Sequence, residues 1–486
     1  DILYARTDVG GAYRYDFEFK KWIPLLDSFD VNLRNYYGVY GIGLDPSDPN
    51  IIYLAVGCQW HDSKGIPTVL KSTDRGKRWS ETGITASTGM QLFDITTGGY
   101  YGECIAVDPN DSQTVYCGTV FDGLYVSRDG GATWSKNEYI PDEGETSDNT
   151  KYQGIHCVVV DSGQTYGNKS KKVYVGQDGF GIYASEDGGN TFSLIPDSPQ
   201  RPQNMRLLNG NLYVTANVGG SGKIYEYNGA DWSDITPSDA NGVIFGGFAI
   251  KSDADNNTVL FVSELKSSKI YCKKNNADWF LVSDEFTLDN TRFYPFMSWK
   301  GRRPGVHNTE YLAINPFPDN AGDTELYIAT GDGLYTQSNP SKSEDESIRY
   351  YANTCGIEET CVNTVVSHPS GDLLVGIMDY SGYKVSDLSS YAKTTNIIKT
   401  TDNKYINVIS SFDYCENNAK YTAAFCDMAI PDTSKVEGFI VISSDGGKTW
   451  QSCNYPKKSQ VAMGDLALAA DVSDNGFPVI VAASKK

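Results

Sequence analysis

Short runs of alternating apolar and polar residues follow one another along almost the whole chain, and helical periodicity is nearly absent. Stretches such as GLYVSRD (123–129) and GIYASED (181–187) read as strands that end in turn-forming residues. Four segments share one spacing: STDRGKRW (72–79), SRDGGATW (127–134), SEDGGNTF (185–192) and SSDGGKTW (443–450) all fit S-x-D-x-G-x-x-W/F. Each follows a strand and precedes a shorter one. Decayed copies follow in KIYEYNGADW (223–232) and KIYCKKNNADW (269–279). Upstream of each lies a strand, an Asp-Pro turn and another strand, as in LDPSDPNIIYLAVG (44–57) and AVDPNDSQTVYCGT (106–119).

The repeat amounts to about four strands in roughly 45–58 residues, and a four-stranded sheet repeated radially is a β-propeller blade. The fold class expected is therefore all-β, with two propellers in tandem. The first, residues 1–345, has seven blades, of which the first lacks its innermost strand. The second, 346–486, opens within the polar connector NPSKSEDESIRYYANTCG (339–356), after which the blades restart, and stops after two to three blades. A start directly in a strand, and an end inside FPVIVAASKK, lead us to expect a piece of a longer protein. In the four S-x-D-x-G-x-x-W/F segments, Ser and Asp side chains are expected to accept from backbone N–H groups of a tight turn. Glycine there supplies positive φ and the aromatic residue packs between sheets. Asp74, Asp129, Asp187 and Asp445 are thus structural. The unit resembles the Asp-box of several propeller families.

A formal charge of −20 disfavours nucleic acid or an anionic membrane as a partner, and no apolar run is long enough to span a bilayer. Ten cysteines without a C-x-x-C pair, and only four histidines, argue against a zinc or redox site. Cys104 and Cys117, like Cys415 and Cys426, flank hairpins and allow cross-strand disulfides; buried thiols are the alternative. Sequons at Asn110, Asn168 and Asn256 lean towards secretion.

One further echo concerns chemistry. ILYARTDVGGAYRYD (2–16) and LLVGIMDYSGYKVSD (373–387) place Asp8 and Asp379 in the turn between the second and third strands of the first blade of each propeller. Asp is a good turn former, and FDGLY (Asp122), QDGFGIY (Asp178) and GDGLY (Asp332) repeat the theme, so duplication alone accounts for the pattern. First blades of two docked propellers would, however, bring the pair across one cleft. Two carboxylates so placed suit glycoside hydrolysis, in which one protonates the leaving oxygen and the other activates water or attacks carbon.

YARTDVGGAYRYD, YYGVYGIGLDPSDPN, LKSTDRGKRW, GLYVSRDGGATWSK, LAINPF, GIEETCV and FDYCE occur in that order, and together they resemble the xyloglucanases of glycoside hydrolase family 74. The resemblance implies two seven-bladed propellers clasping a cleft, and a secreted, monomeric endo-β-1,4-glucanase that hydrolyses xyloglucan or a related β-1,4-glucan with inversion. It implies Asp8 as general base and Asp379 as general acid, with no metal and no cofactor. Substrate contacts are expected from Tyr36, Tyr37, Trp60, Tyr100, Tyr101, Glu103 and Trp299, although Glu103 could instead hold a loop. Gly99 stands where the family places Arg, His307 and Asn308 replace an aromatic stretch, and MDYSG is looser than the family's GDIGG. Exo-acting relatives block the cleft with an extra loop. Here the matching stretch, 294–311, is short, which points to internal cleavage. A sialidase is disfavoured because no R-I-P stretch occurs. A non-catalytic Asp-box propeller, either a sortilin-like receptor or a decayed carbohydrate-binding homologue, is the rival class.

Overall fold

The computed structural model describes residues 2–57, 67–84, 93, 102–141, 154–267, 269–283, 287–288, 309–315, 324–331, 333–338, 349–357, 362–378, 381–389, 394–395, 398, 400–401, 406–429, 436–453 and 464–484. They form two compact units, Asp1–Asn290 with Gly305–Glu358, and Thr291–Pro304 with Glu359–Lys486. In the first unit seven antiparallel sheets follow in chain order. Blade 1 spans residues 4–24, blade 2 39–81, blade 3 105–136, blade 4 155–194, blade 5 202–234, blade 6 245–283 and blade 7 309–352. Blade 1 has three strands; blade 7 gains a parallel fifth, Thr287–Leu288. The strand Arg349–Ala352, which the sequence boundary puts in the second propeller, pairs with Gly333–Ser338 and completes blade 7.

Apolar residues of each sheet pack against the next. Tyr53, Val69, Cys104, Val115 and Cys117 join blades 2 and 3, while Tyr213, Ile224, Phe248 and Leu260 join blades 5 and 6. The same clustering joins the last blade to the first through Tyr13, Trp22, Leu334 and Ile357.

A repeated hydrogen bond latches the blades. The tryptophan that opens each outer strand donates its indole N–H to the residue just past the outer strand of the blade before. Trp79 reaches the Leu25 carbonyl (3.0 Å), Trp134 the Thr82 hydroxyl (3.1 Å) and Trp232 the Pro196 carbonyl (3.1 Å). Trp279 reaches the Ile235 carbonyl in the same way. Trp22 makes this bond to the Asn353 carbonyl at 2.7 Å, 331 residues away, and its own N–H donates to the Cys355 carbonyl at 2.7 Å. The latch that joins neighbours therefore also closes the ring. Blade 4 carries Phe192 instead of Trp, and there the bond reverses: Asn137 of blade 3 donates to the carbonyls of Gly189 and Asn190 (both 3.4 Å). Between blades 6 and 7 a nearly buried Lys251–Glu325 ion pair at 2.6 Å spans the junction.

The four Asp-boxes behave as their chemistry demands. In the copy at 127–134 the Ser127 hydroxyl accepts the Gly131 N–H (2.7 Å), and Asp129 accepts the Thr133 N–H (2.8 Å) and hydroxyl (2.6 Å). Gly130 and Gly131 hold φ of 66° and 88°; in the first copy Arg75 adopts the left-handed conformation instead (φ 62°). Such turns face the protein's own backbone.

The second unit contains two four-stranded sheets, 362–395 and 408–453, and a two-stranded sheet of Gly464–Val472 and Pro478–Ser484. Trp450, Phe412, Ile409 and Phe439 fill its core. No disulfide joins the expected pairs. Cys426 sits opposite Ile409, whereas Cys415 lies beyond the other end of that hairpin, where its N–H donates to the Tyr421 carbonyl and its thiol to that of Ala470. Cys104 and Cys117 are both buried thiols.

Two outcomes follow from this frame. Trp22→Phe keeps the ring but strands the buried Asn353 carbonyl, so urea denaturation should show a loss of about 1–3 kcal/mol. Trp232→Phe, whose bond reaches water, should lose less. Hydrogen bonds from the Thr133 side chain and backbone, then from Ser127, hold Asp129 down to about 2. A depressed carboxylate stabilises fully above its unfolded value near 3.9 and loses this as pH falls towards 2. Asp129→Asn should therefore lower Tm at pH 7 and flatten its fall between pH 4 and 2.

Candidate active site

Asp8 stands in the five-residue loop 7–11 that joins strands Tyr4–Arg6 and Ala12–Asp16 of blade 1. Thr7 builds the loop: its N–H and hydroxyl both donate to the Gly11 carbonyl (2.9 and 3.0 Å), and the hydroxyl accepts from Gly10 N–H (2.9 Å). Gly11, at φ 95°, donates to the Tyr37 carbonyl (2.8 Å), and Val39 donates to that of Thr7 (3.1 Å), which ties the loop to the entry of blade 2.

Equivalent loops of other blades show what is unusual here. Asp178 occupies the same second position in loop 177–181 of blade 4, but it is 2% exposed and lies 3.9 Å from the Arg201 guanidinium. Asp122 occupies the fourth position in loop 119–123. It is fully buried, bonded to Lys136 at 2.7 Å and to the Tyr125 hydroxyl at 2.5 Å. Arg201 precedes the innermost strand of blade 5, and its carbonyl accepts the Asn217 N–H; in blade 2 the residue whose carbonyl accepts the matching Gly57 N–H is Gly38. Where blade 5 supplies an arginine, blade 2 supplies a hydrogen atom. Asp8 stays half-buried, and no ion pair reaches it among the described residues. Burial, the largest influence, raises its pKa above the ordinary carboxylate value, while its own N–H, that of Val9 and the charge of Arg6 act the other way.

Asp379 lies outside the described residues, but its flanks are described. Gly376 pairs with Gly382, leaving the loop 377–381, in which Ile377 donates to the Ser381 carbonyl (3.0 Å) and Ser381 to that of Asn407 (2.8 Å). These bonds match Thr7 to Gly11 and Gly11 to Tyr37. The hairpins therefore superpose with an offset of one residue less than the aspartates do: Asp8 is second in its loop and Asp379 third. The motif echo read from sequence is correct in element and out by one in register.

The other expected contacts divide. Tyr36 is a correction: it is 3% exposed, packed in the blade 1–2 core, with its hydroxyl on Glu81 (2.8 Å), because the short 3-10 helix Val31–Tyr37 turns it inward. Tyr37, next in line, is half-buried against Gly11. Glu103 has both oxygens committed to the protein, one to Arg6 (3.4 Å) and one to the Ile42 N–H (2.9 Å). Trp60, Tyr100, Tyr101 and Trp299 lie outside the described residues, as do Gly99, His307, Asn308 and Asp332.

Sequence reasoning missed a polar cluster on and beside the innermost strands. Arg6 of blade 1, Glu103 before blade 3, Arg206 of blade 5 and Tyr311 of blade 7 interact electrostatically, with Arg206 donating to the Tyr311 hydroxyl at 3.0 Å and lying over its ring. The one hint was that Arg6 precedes Asp8 by two residues. No group of three His, Cys, Asp or Glu fit to hold a metal occurs among the described residues. A cavity of about 450 Å³ lined by Ile2, Tyr4, Leu44, Asp45, Pro49, Ile51 and Arg75 does not include Asp8.

Comparison with known proteins adds the following. The BNR/Asp-box repeat model matches residues 125–136. The xyloglucanase Xgh74A of Acetivibrio thermocellus is 31% identical over 97% of this chain, which spans 59% of that protein. A crystal structure of the Niastella koreensis GH74 enzyme aligns with a TM-score of 0.76 at 27% identity, covering 98% of this chain and 67% of that one. The GH74 xyloglucanase from Xanthomonas campestris aligns with a TM-score of 0.77 over 96% of this chain and 68% of its own, at 24% identity, a likeness of fold. This chain thus spans about three-fifths of the length of the curated Acetivibrio thermocellus xyloglucanase.

Proposed function

We propose that this chain, a homologue of the glycoside hydrolase family 74 xyloglucanases over nearly all its length, is part of a secreted endo-β-1,4-glucanase that hydrolyses xyloglucan with inversion. Asp8 is the general base and Asp379 the general acid. The observation that carries this reading is the state of Asp8: it alone among Asp8, Asp122 and Asp178 is both half-buried and free of a neutralising Lys or Arg. A base needs an oxygen open to water and a carboxylate that is ionised when substrate arrives. Asp122 and Asp178 are buried and present no oxygen to water, so they brace blades. Among the described residues, Tyr37 beside the loop is the aromatic best placed to meet a sugar ring.

Inversion gives the two acids different duties. Asp8 would take a proton from the attacking water; Asp379 would give one to the departing glucosyl oxygen. No step needs a metal or an organic cofactor.

Substitution of each acid in the full-length enzyme separates the roles. Asp8→Asn and Asp379→Asn should each lower kcat on polymeric xyloglucan by about 10²–10⁴-fold. On an aryl glycoside with an activated leaving group, Asp379→Asn should recover most of the loss and Asp8→Asn little, since a good leaving group needs less protonation. Full activity of Asp8→Asn on both substrates would remove Asp8 from the catalytic pair, and a parent enzyme inactive on both would transfer the chain to the non-catalytic class.

The short 294–311 segment leads us to place cleavage at internal bonds. The full-length enzyme should lower xyloglucan viscosity well before reducing ends accumulate. Release of short oligosaccharides from one chain end, with viscosity falling only in proportion, would reverse this assignment.

A further inference from the structure

We propose that Asn168 and Asn256 are acceptor sites for N-linked glycans, carried on the end of the first unit opposite the Asp8 loop. The third sequon asparagine, Asn110, is an inter-blade tie that the folded protein keeps bare. The inference rests on the reading of the protein as secreted.

All three sequons occupy one place in the blade. Each lies in the turn that joins the first and second strands: Asn110 in blade 3, Asn168 in blade 4 and Asn256 in blade 6. Loops of the Asp8 type, 119–123 in blade 3 and 177–181 in blade 4, join second and third strands and so stand at the other end of the sheet. In blade 4 the nine-residue strand Lys169–Gln177 separates the two ends, a span of about 26 Å at about 3.3 Å per residue. Glycans on these turns leave the Asp8 end clear for a polymer.

The turns differ in what the asparagine does. Asn168 is exposed in the two-residue turn between the paired Tyr166 and Lys169, next to Gly167 at φ 69°. Asn256 is exposed at the tip of the turn 253–257, at φ 63°, with its N–H on the Asp253 carbonyl (3.0 Å). The Asp253 carboxylate is taken up by the N–H and side chain of Asn257 (2.8 and 2.9 Å). Among the described residues, neither the Asn168 nor the Asn256 side-chain amide meets a partner.

Asn110 is built in. Its Nδ2 donates to blade 4 twice, to the Ser162 carbonyl (3.2 Å) and to the Ser170 hydroxyl (3.0 Å). The hydroxyl of its own sequon, on Ser112, donates to Asp45 of blade 2 at 3.0 Å. The triplet therefore ties blades 2, 3 and 4 together, and both Nδ2 hydrogens already point at protein.

The donor is a lipid-pyrophosphate-linked oligosaccharide. Asn Nδ2 bonds to C1 of its first sugar, the C1–O bond breaks, the pyrophosphate leaves with the electron pair, and Nδ2 gives up one proton. The sequon hydroxyl paired with Asn168 belongs to Ser170, which is fully buried on Asp108 (Oγ 2.6 Å, N–H 2.8 Å). Transfer to Asn168 therefore precedes closure of blades 3 and 4. Folding then leaves Asn168 and Asn256 outside, whereas a sugar on Asn110 would stand where blade 4 must dock. Molecules that fold carry none there.

The test uses the full-length protein, led into the secretory pathway of a eukaryotic cell by a supplied signal sequence. Mobility before and after enzymatic glycan release counts the glycans, and peptide mapping finds each released site as Asn converted to Asp. The expected map has Asn168 and Asn256 occupied and Asn110 unmodified. Asn168→Gln and Asn256→Gly, the glycine suiting the positive φ, should each remove one glycan and leave xyloglucan hydrolysis as in the parent. Asn110→Ala should keep both glycans and lower Tm, because two hydrogen bonds to blade 4 are lost. A glycan on Asn110 of the folded protein, a bare Asn168 or Asn256, or faster hydrolysis once the glycans are gone would overturn the proposal. If both sites are occupied in this system while the protein's own cells retain it inside, the reading of the protein as secreted fails and the two turns stand as acceptor sites.

Discussion

Everything in the first unit depends on closing a ring of sheets, and the bond between the Trp22 indole and the Asn353 carbonyl is where it closes. Each blade exposes an apolar face that only its neighbour can cover, so an open arc would leave two such faces in water. The latch is local wherever it joins consecutive blades, but at the last junction it must join residues 331 apart. Trp22 is 3% exposed and packs with Tyr13 and Ile357, so the directional bond and the apolar contact close together. The bond sets the angle; burial supplies most of the energy.

Closure has a consequence for charge. Arg6, Glu103, Arg206 and Tyr311 come from blades far apart in sequence and interact only because their strands converge. An ion pair of this kind costs desolvation, so stability alone does not explain it. The contrast with Asp178 and Arg201 shows the alternative, a buried aspartate with a guanidinium 3.9 Å away, used as a brace.

The same logic separates the aspartates by environment. The Asp-box acids accept several backbone and hydroxyl hydrogen bonds and are held low; Asp74 and Asp129 both lie at about 2. Asp8 is raised by burial, while the amides of its own turn and the charge of Arg6 act the other way. One residue type thus serves as turn staple, buried brace and candidate base, according to how many donors reach it.

Much of this was legible in the sequence because its causes are local. Strand alternation, the turn chemistry of S-x-D-x-G-x-x-W and the spacing of repeats are properties of short segments, and the blades and the structural role of Asp129 and its kin were readable from them. The loop bearing Asp8 was equally readable, since Thr7, Gly10 and Gly11 shape it among themselves. Other features needed the third dimension. Tyr36 and Tyr37 are identical side by side, and only the turn of one short helix puts the first in the core. Cys415 and Cys426 flank a hairpin in sequence, yet register places them at opposite ends. The one-residue offset between the Asp8 and Asp379 loops appears only when the paired strands are counted. That Arg6 meets Glu103, 97 residues away, was decided by strands converging across the ring, where separation along the chain says nothing about distance.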